Sequence, residues 1–195
     1  NMLQGQRDLA TVGRLLLTEL TPLVNAQLGV IYQLEYDNGP RLRLLSSYAD
    51  DGANGHSSLL KLGEGLIGQC AADRQRRLVS DIPPDAVPVG SALFKIRPKN
   101  VVVLPILFEN QVKAVIELAS VSSFTTSQMT FLEQLTDSIG IVLNSIEATM
   151  QTEGFLKQSQ QLAVELQIQQ KELQQTNEQL EQKAQQLAER NVEVE

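Results

Sequence analysis

The sequence predicts an α+β fold, an antiparallel sheet continued by a long C-terminal helix, and three observations predict it. Two pairs of strand-forming runs are each joined by a short polar turn, a connection suited to antiparallel strands. The segments before and after those pairs carry apolar residues three and four apart, the period of an amphipathic helix. Leu166, Leu173, Leu180 and Leu187 then recur at seven-residue spacing, in a stretch with no Gly or Pro from Phe155 to Glu195. That is the pattern of a helix that meets a second helix.

From Leu3 to Asn25, the residues Leu9, Val12, Leu16, Leu20 and Leu23 form one apolar stripe, so the chain opens as an amphipathic helix closed near Asn25. Residues 29–35 (GVIYQLE) and 41–48 (RLRLLSSY) are rich in strand formers, and Asp37-Asn38-Gly39-Pro40 between them is turn chemistry, which makes a hairpin. Residues 50–58 (DDGANGHSS) are polar and glycine-rich, hence a surface loop. Residues 59–62 lead into Gly63-Glu64-Gly65 and a short helix over about 66–74, followed by a short strand at Leu78-Val79-Ser80. Between Asp81 and Pro98, the prolines Pro83, Pro84, Pro88 and Pro98 break any long regular element, and an irregular connection loops over the domain.

Residues 100–108 (NVVVLPILF) and 112–119 (VKAVIELA), joined by Glu109-Asn110-Gln111, are the most apolar β-branched runs and read as the central hairpin of the sheet. Thr125 or Thr126 caps a last helix through Phe131, Leu132, Leu135, Ile139, Val142, Leu143 and Ile146, with no strong stop before the leucine repeat. Gly140 and Gly154 weaken it, by about 1 kcal/mol each relative to Ala. Continuous to Glu195, this helix would be about 105 Å long.

The chain of 195 residues holds one domain of ordinary size plus extensions, divided as a leading helix (1–25), a domain (26–150) and a coiled-coil segment (151–195). A net charge of -7 and a pI near 4.8 argue against nucleic acid or an anionic membrane surface as a main partner. A single cysteine, Cys70, excludes an internal disulfide framework, and a single histidine, His56, excludes the usual His-rich zinc sites. A reducing cytoplasm fits, no apolar run has the length that spans a bilayer, and no signal peptide opens the chain. The start at Asn1 and the end inside a helical pattern read as part of something longer.

With the leucines at d, positions a hold Ala163, Gln170, Asn177, Ala184 and Asn191. Small and amide residues there cost stability and specify a two-stranded, in-register pairing, so the expected partner is a second copy of the chain. The competing reading is a solvated Gln-rich tail, which needs no partner.

The order of helix, two strands, short helix, strand, long loop, two strands and long exit helix, around Leu62-Gly63-Glu64-Gly65-Leu66-Ile67-Gly68, resembles the GAF domain family. Val103-Leu104-Pro105-Ile106, then Val115-Ile116-Glu117-Leu118-Ala119-Ser120 and Phe124-Thr125 resemble the second half of that family's pattern, and the likeness covers roughly residues 21–150. Together with a Gln/Glu-rich coiled coil it is similar to the sensory region of bacterial hybrid histidine kinases. The resemblance implies a GAF-like central antiparallel sheet with the first and last helices on one face. Any ligand pocket lies on the other face, under the short helix and the proline-rich loop. It places Tyr48, Ile67, Cys70, Asp81, Ile82, Phe94 and Glu117 on the pocket side, a mostly apolar set that suits a small ligand and suits a plain core equally well.

Other chemistry in the chain has a plainer reading beside it. Gly63-Glu64-Gly65-Leu66-Ile67-Gly68 matches G-x-G-x-x-G, with Asp81 and Asp85 downstream, but lacks the apolar parallel strand of a dinucleotide site. Its glycines are read as letting the short helix start close to the sheet. Cys70 reads as a small packing residue rather than a redox nucleophile or tetrapyrrole attachment point, and the one cysteine excludes a GAF-type methionine sulfoxide reductase. His56, in its polar loop, reads as solvated, and its context is not that of a phosphoacceptor. Asp50 and Asp51 lack the further spaced oxygens of a cation site.

The resulting expectation is a cytoplasmic regulatory GAF module, not itself an enzyme, of a two-component sensor histidine kinase. It relays a signal through a parallel homodimeric coil to kinase domains elsewhere in a parent chain. No cofactor is expected, an unidentified small ligand is left open, and no direct contact with a membrane is expected of these residues. Leu9 and Leu16 join Leu166, Leu173, Asn177, Leu180 and Leu187 as expected dimer residues. The alternatives are a ligand-free dimerisation spacer, or the GAF module of another signalling protein such as a cyclase.

Overall fold

The computed structural model describes residues 2–36, 39–49, 56–80, 82, 88–90 and 95–192 and, among them, side chains from Leu9 to Gln186. In chain order the elements are α1 (Met2–Leu23), β1 (Leu28–Glu35), β2 (Arg41–Tyr48), β3 (Leu59–Lys61), α2 (Gly65–Asp73), β4 (Arg77–Val79), β5 (Val89–Gly90), β6 (Lys95–Ile96), β7 (Asn100–Phe108), β8 (Gln111–Ser120) and α3 (Thr126–Val192). The chain divides into two compact units, Asn1–Ala148 and Thr149–Glu195.

Six strands form one antiparallel sheet in the order β3-β2-β1-β8-β7-β4. The β7–β8 hairpin turns through Glu109 and Asn110, both at positive φ, the backbone that matches the twist of the paired strands. β8 lies at the centre beside β1, and β7 one place out, so the expected central hairpin shares the middle with β1. The proline-rich connection is less irregular than its composition suggests, since β5 and β6 pair within it.

α1 packs on β1 and β2. It buries Leu9, Leu17 and Leu20, with Val24 just beyond its end also buried, while Leu23 stays exposed. The buried face is thus rotated from the expected stripe, because Gly13 is part of it. A Cβ at Gly13 would lie 3.1 Å from Leu45 and 3.3 Å from Ile31, so the helix approaches the sheet closely at a residue that no apolar count registers. The helix ends in a Schellman motif, with Asn25 in the left-handed region, Ala26 N–H donating to Thr21 and Asn25 N–H to Pro22.

α3 opens with a capping box. Thr125 Oγ1 accepts from the Gln128 N–H at 3.2 Å while Gln128 Oε1 accepts from the Thr125 N–H at 2.8 Å. Met129, Leu132, Ile139 and Leu143 bury against the domain. Gly140 belongs to that face by necessity, since a Cβ there would lie 1.9 Å from the Leu107 carbonyl oxygen. The helix runs through both Gly140 and Gly154 without a break.

Alternation along β1 separates the two faces. Gly29 and Ile31 face α1, whereas Val30, Tyr32 and Leu34 join Ile67, Cys70 and Ala71 of α2 in a buried cluster. Two bulges interrupt this alternation. In β2 the register passes from Ser46 opposite Ile31 to Leu44 opposite Tyr32, leaving Leu45 over and turning it to α1. In β8 Ala114 opposes Ile106 and Val112 opposes Leu107, leaving Lys113 over. Lys113 reaches Glu147 of α3 at 3.0 Å, and Gln33 donates to the same carboxylate at 3.2 Å. α1 and the first part of α3 therefore share one face, and α2 lies on the other.

In the second unit, every described side chain from Gln151 to Gln186 is exposed, including Leu166, Leu173, Asn177 and Leu180, and Leu187 lies outside the described side chains. Among the described residues no helix is long and apolar enough to cross a membrane.

Candidate functional site

The α2 face carries a cavity of about 180 Å³. Leu28 and Val30 of β1, with the Gly29 backbone between them, Glu117 and Ala119 of β8 and Val101 of β7 form its floor, and His56, Ile82 and Pro98 from the connections close its sides. The floor follows from register. Leu28 and Val101 both oppose Ala119, and Val30 opposes Glu117, which puts this set on one surface of three neighbouring strands. Tyr32, further along β1 on the same face, donates its hydroxyl to the Ser57 carbonyl at 2.8 Å and so holds the residue after His56 to the sheet.

Glu117 is the acidic group of this lining. Burial alone pushes its carboxyl up to about 7. Glu35, Asp73, Glu133 and Glu147 each meet an Arg or Lys. Glu117 has no such partner among the described residues. A half-neutral carboxyl in an apolar floor can accept or donate one strong hydrogen bond from whatever fills the space. The volume sets the scale of that occupant, because an apolar cavity of about 150 Å³ is enough for a benzene-sized molecule.

Of the residues expected at the pocket, Glu117 and Ile82 line it. Ile67 and Cys70 do not. They are buried in the cluster between α2 and the sheet. The Cys70 thiol is pushed up to about 12, first by burial, with Arg77 pulling it down and Asp73 and Glu117 adding to the rise, so it stays protonated and non-nucleophilic at neutral pH. Tyr48 is a correction. The bulge at Leu45 sets it opposite Gly29, on the α1 face and away from the cavity. Asp81 and Phe94 lie outside the described residues, as do Asp50 and Asp51.

His56 is the second correction. It lines the cavity and is partly buried rather than solvated, drawn in beside the Tyr32–Ser57 hydrogen bond. Val101 and Ala119 were legible as strand residues and Leu28 lies one residue before the expected strand, but their facing follows from cross-strand register, which the sequence of either strand alone does not carry. The glycine motif holds no phosphate geometry. Gly68 lies against β3, where a Cβ would come within 2.4 Å of the Lys61 carbonyl oxygen, and Glu64 Oε2 accepts from the Lys61 N–H at 2.8 Å. Leu9 is likewise buried within the chain, and Leu16 is partly buried.

Comparison with known proteins agrees with this architecture. The second GAF domain of DevS from Mycobacterium smegmatis is similar at 19% identity and a TM-score of 0.57, over 73% of this chain and 98% of that one. The GAF domain of a phosphoenolpyruvate-protein phosphotransferase from Coxiella burnetii is similar at 16% identity and a TM-score of 0.59, over 76% of this chain and 96% of that one. A type II free methionine-R-sulfoxide reductase from Thermoplasma acidophilum is similar at 14% identity and a TM-score of 0.56, over 73% and 96%. At these identities the likeness is one of fold. No curated protein matches the chain in sequence. The sequence model of the GAF domain matches residues 6–144, from the first turns of α1 through the sheet to the part of α3 packed on it. The chain therefore belongs to the GAF domain family.

Proposed function

We propose that the chain is the sensory module of a two-component histidine kinase, passing the state of the Glu117 cavity through a parallel dimeric coil to a kinase core in a parent protein. The observation that carries this reading is the continuity of α3. One helix is capped at Thr125, holds Glu147 against the bulge in β8, and carries the leucine heptads to their end. The pocket strands and the output helix thus meet at the Glu147 carboxylate, paired with Lys113 of β8 and hydrogen-bonded by Gln33 of β1. Exposed Leu166, Leu173 and Leu180 at heptad spacing favour a second copy as partner, since a lone helix leaves that stripe in water. Exposed Leu15, Ile141 and Val142 on α1 and α3 add apolar surface for the same contact.

The test is autophosphorylation of the chain joined in frame to a histidine kinase core. An insertion of seven residues after Gln158 preserves the heptad phase and should preserve the activity level. An insertion of two residues turns the downstream helix by about half a turn and should change it severalfold. Equal activity in the two insertions defeats the relay. A ligand-free spacer is the second reading, favoured by the close packing of Ile67 and Cys70 where a ligand was expected. It predicts that filling the cavity with Ala119→Met leaves kinase output unchanged.

A further inference from the structure

We propose that the occupant of the cavity is a small organic cation, an ammonium group on an apolar body about the size of one ring, held with its N–H donors on the Glu117 carboxylate. This rests on the sensory reading and deepens it by assigning the ligand's chemistry. The apolar body follows from Leu28, Val30, Ile82, Pro98, Val101 and Ala119, and its size from about 180 Å³ of space. The charge follows from Glu117, an acid in the floor without a cation or hydrogen-bond donor among the described residues. A ligand that brings one removes the cost of ionising the group there. An anionic ligand would meet like charge, and a neutral one would leave the carboxylate uncompensated whenever it is ionised.

The charged and titratable groups packed around Glu117 do not already fill this role. Arg77 of β4 lies in the same cross-strand row, through Val103, but its terminal nitrogen forms an ion pair with Asp73 of α2 and its buried Nε has no hydrogen-bond partner among the described residues, Glu117 included. Cys70 of α2 stays neutral, and burial is the sole cause acting on Glu117 itself. His56 is the remaining titratable side chain of the lining.

The test is calorimetric titration of the whole chain with benzylammonium and with benzyl alcohol, its neutral counterpart. At pH 8 benzylammonium should bind at least about tenfold tighter, the ratio commanded by a charge-assisted hydrogen bond. At pH 7 its binding should release about half a proton, read from the dependence of the heat on buffer ionisation, because the cation draws the carboxyl to its charged form. Glu117→Gln should remove both the preference and the proton release, which separates Glu117 from His56. Ala119→Met should remove binding of both probes by filling the space. Equal affinity for the two probes, a preference that survives Glu117→Gln, or no binding of either probe overturns the assignment. None of these touches the insertion experiment on the fused kinase, which needs no ligand, so the relay and the ligand class fail separately.

Discussion

Glu117 is ionised at a cost, and that cost ties folding to pH. Its carboxyl stands at about 7 in the folded chain against an ordinary 4.5, so the folded state binds this proton more tightly than the unfolded state. Its effect on stability is therefore nil below about 4.5, grows unfavourable as pH rises, and levels off above about 7, at up to roughly 3 kcal/mol. Glu117→Gln should flatten that dependence and raise the urea midpoint at pH 8 while leaving it nearly unchanged at pH 4.5. Two glycines of α3 make an opposed pair. Gly140→Ala should destabilise by about 3 kcal/mol, because the methyl group meets the Leu107 backbone, which cannot swing aside. Gly154→Ala has open space and should stabilise its helix by about 0.5–1 kcal/mol, readable as helicity on warming. At this scale the sequence told less than it seemed to. Gly140 was legible as a weak point of a helix but not as a contact, and Tyr48, placed on the pocket side by the family resemblance, is turned to the other face by one extra residue, Leu45.

Elements were far more legible than the faces they turn. The capping box, the Schellman end of α1 and both hairpins follow from local rules, since Thr125 and Gln128, Asn25 and the two turns act on their near neighbours. Thr125→Ala should cost about 1 kcal/mol in chemical denaturation, and Gln128 gives it added reach by donating to the Val24 carbonyl at the end of α1. Bulges are different, because a leftover residue exists only relative to a partner strand. Lys113 reads as an interruption in an apolar run, yet as the unpaired residue of β8 it becomes the tie to Glu147. Lys113→Met should cost about 1–2 kcal/mol by leaving that part-buried carboxylate with Gln33 alone. A smaller loss, measured by urea unfolding, would mean that water replaces the lysine.

For the whole molecule, the likeness to one family was legible because several separated segments agree in order, and each marks a boundary between elements. Of the cavity lining only Glu117 and Ile82 were legible, on a strand and at a loop entry that the pattern fixes, while His56 arrives by a tertiary hydrogen bond. On the proposed relay, Asn177→Ile should replace a polar a position with one that packs, raise the melting temperature of the coil and lock kinase output at one level; unchanged regulation in the fused kinase would count against it. The strand order also dictates how the chain assembles in time. β7 and β8, adjacent in sequence, can close their hairpin within microseconds, but β1 must find β8 across most of the domain, from Val30 to Glu117. On a ribosome β1 and β2 emerge long before the strand that completes the sheet, and they wait as an exposed pair. The most apolar strands then enter a sheet whose outer members, β3 and β4, are three residues each, which leaves little backbone free to recruit a neighbouring nascent chain.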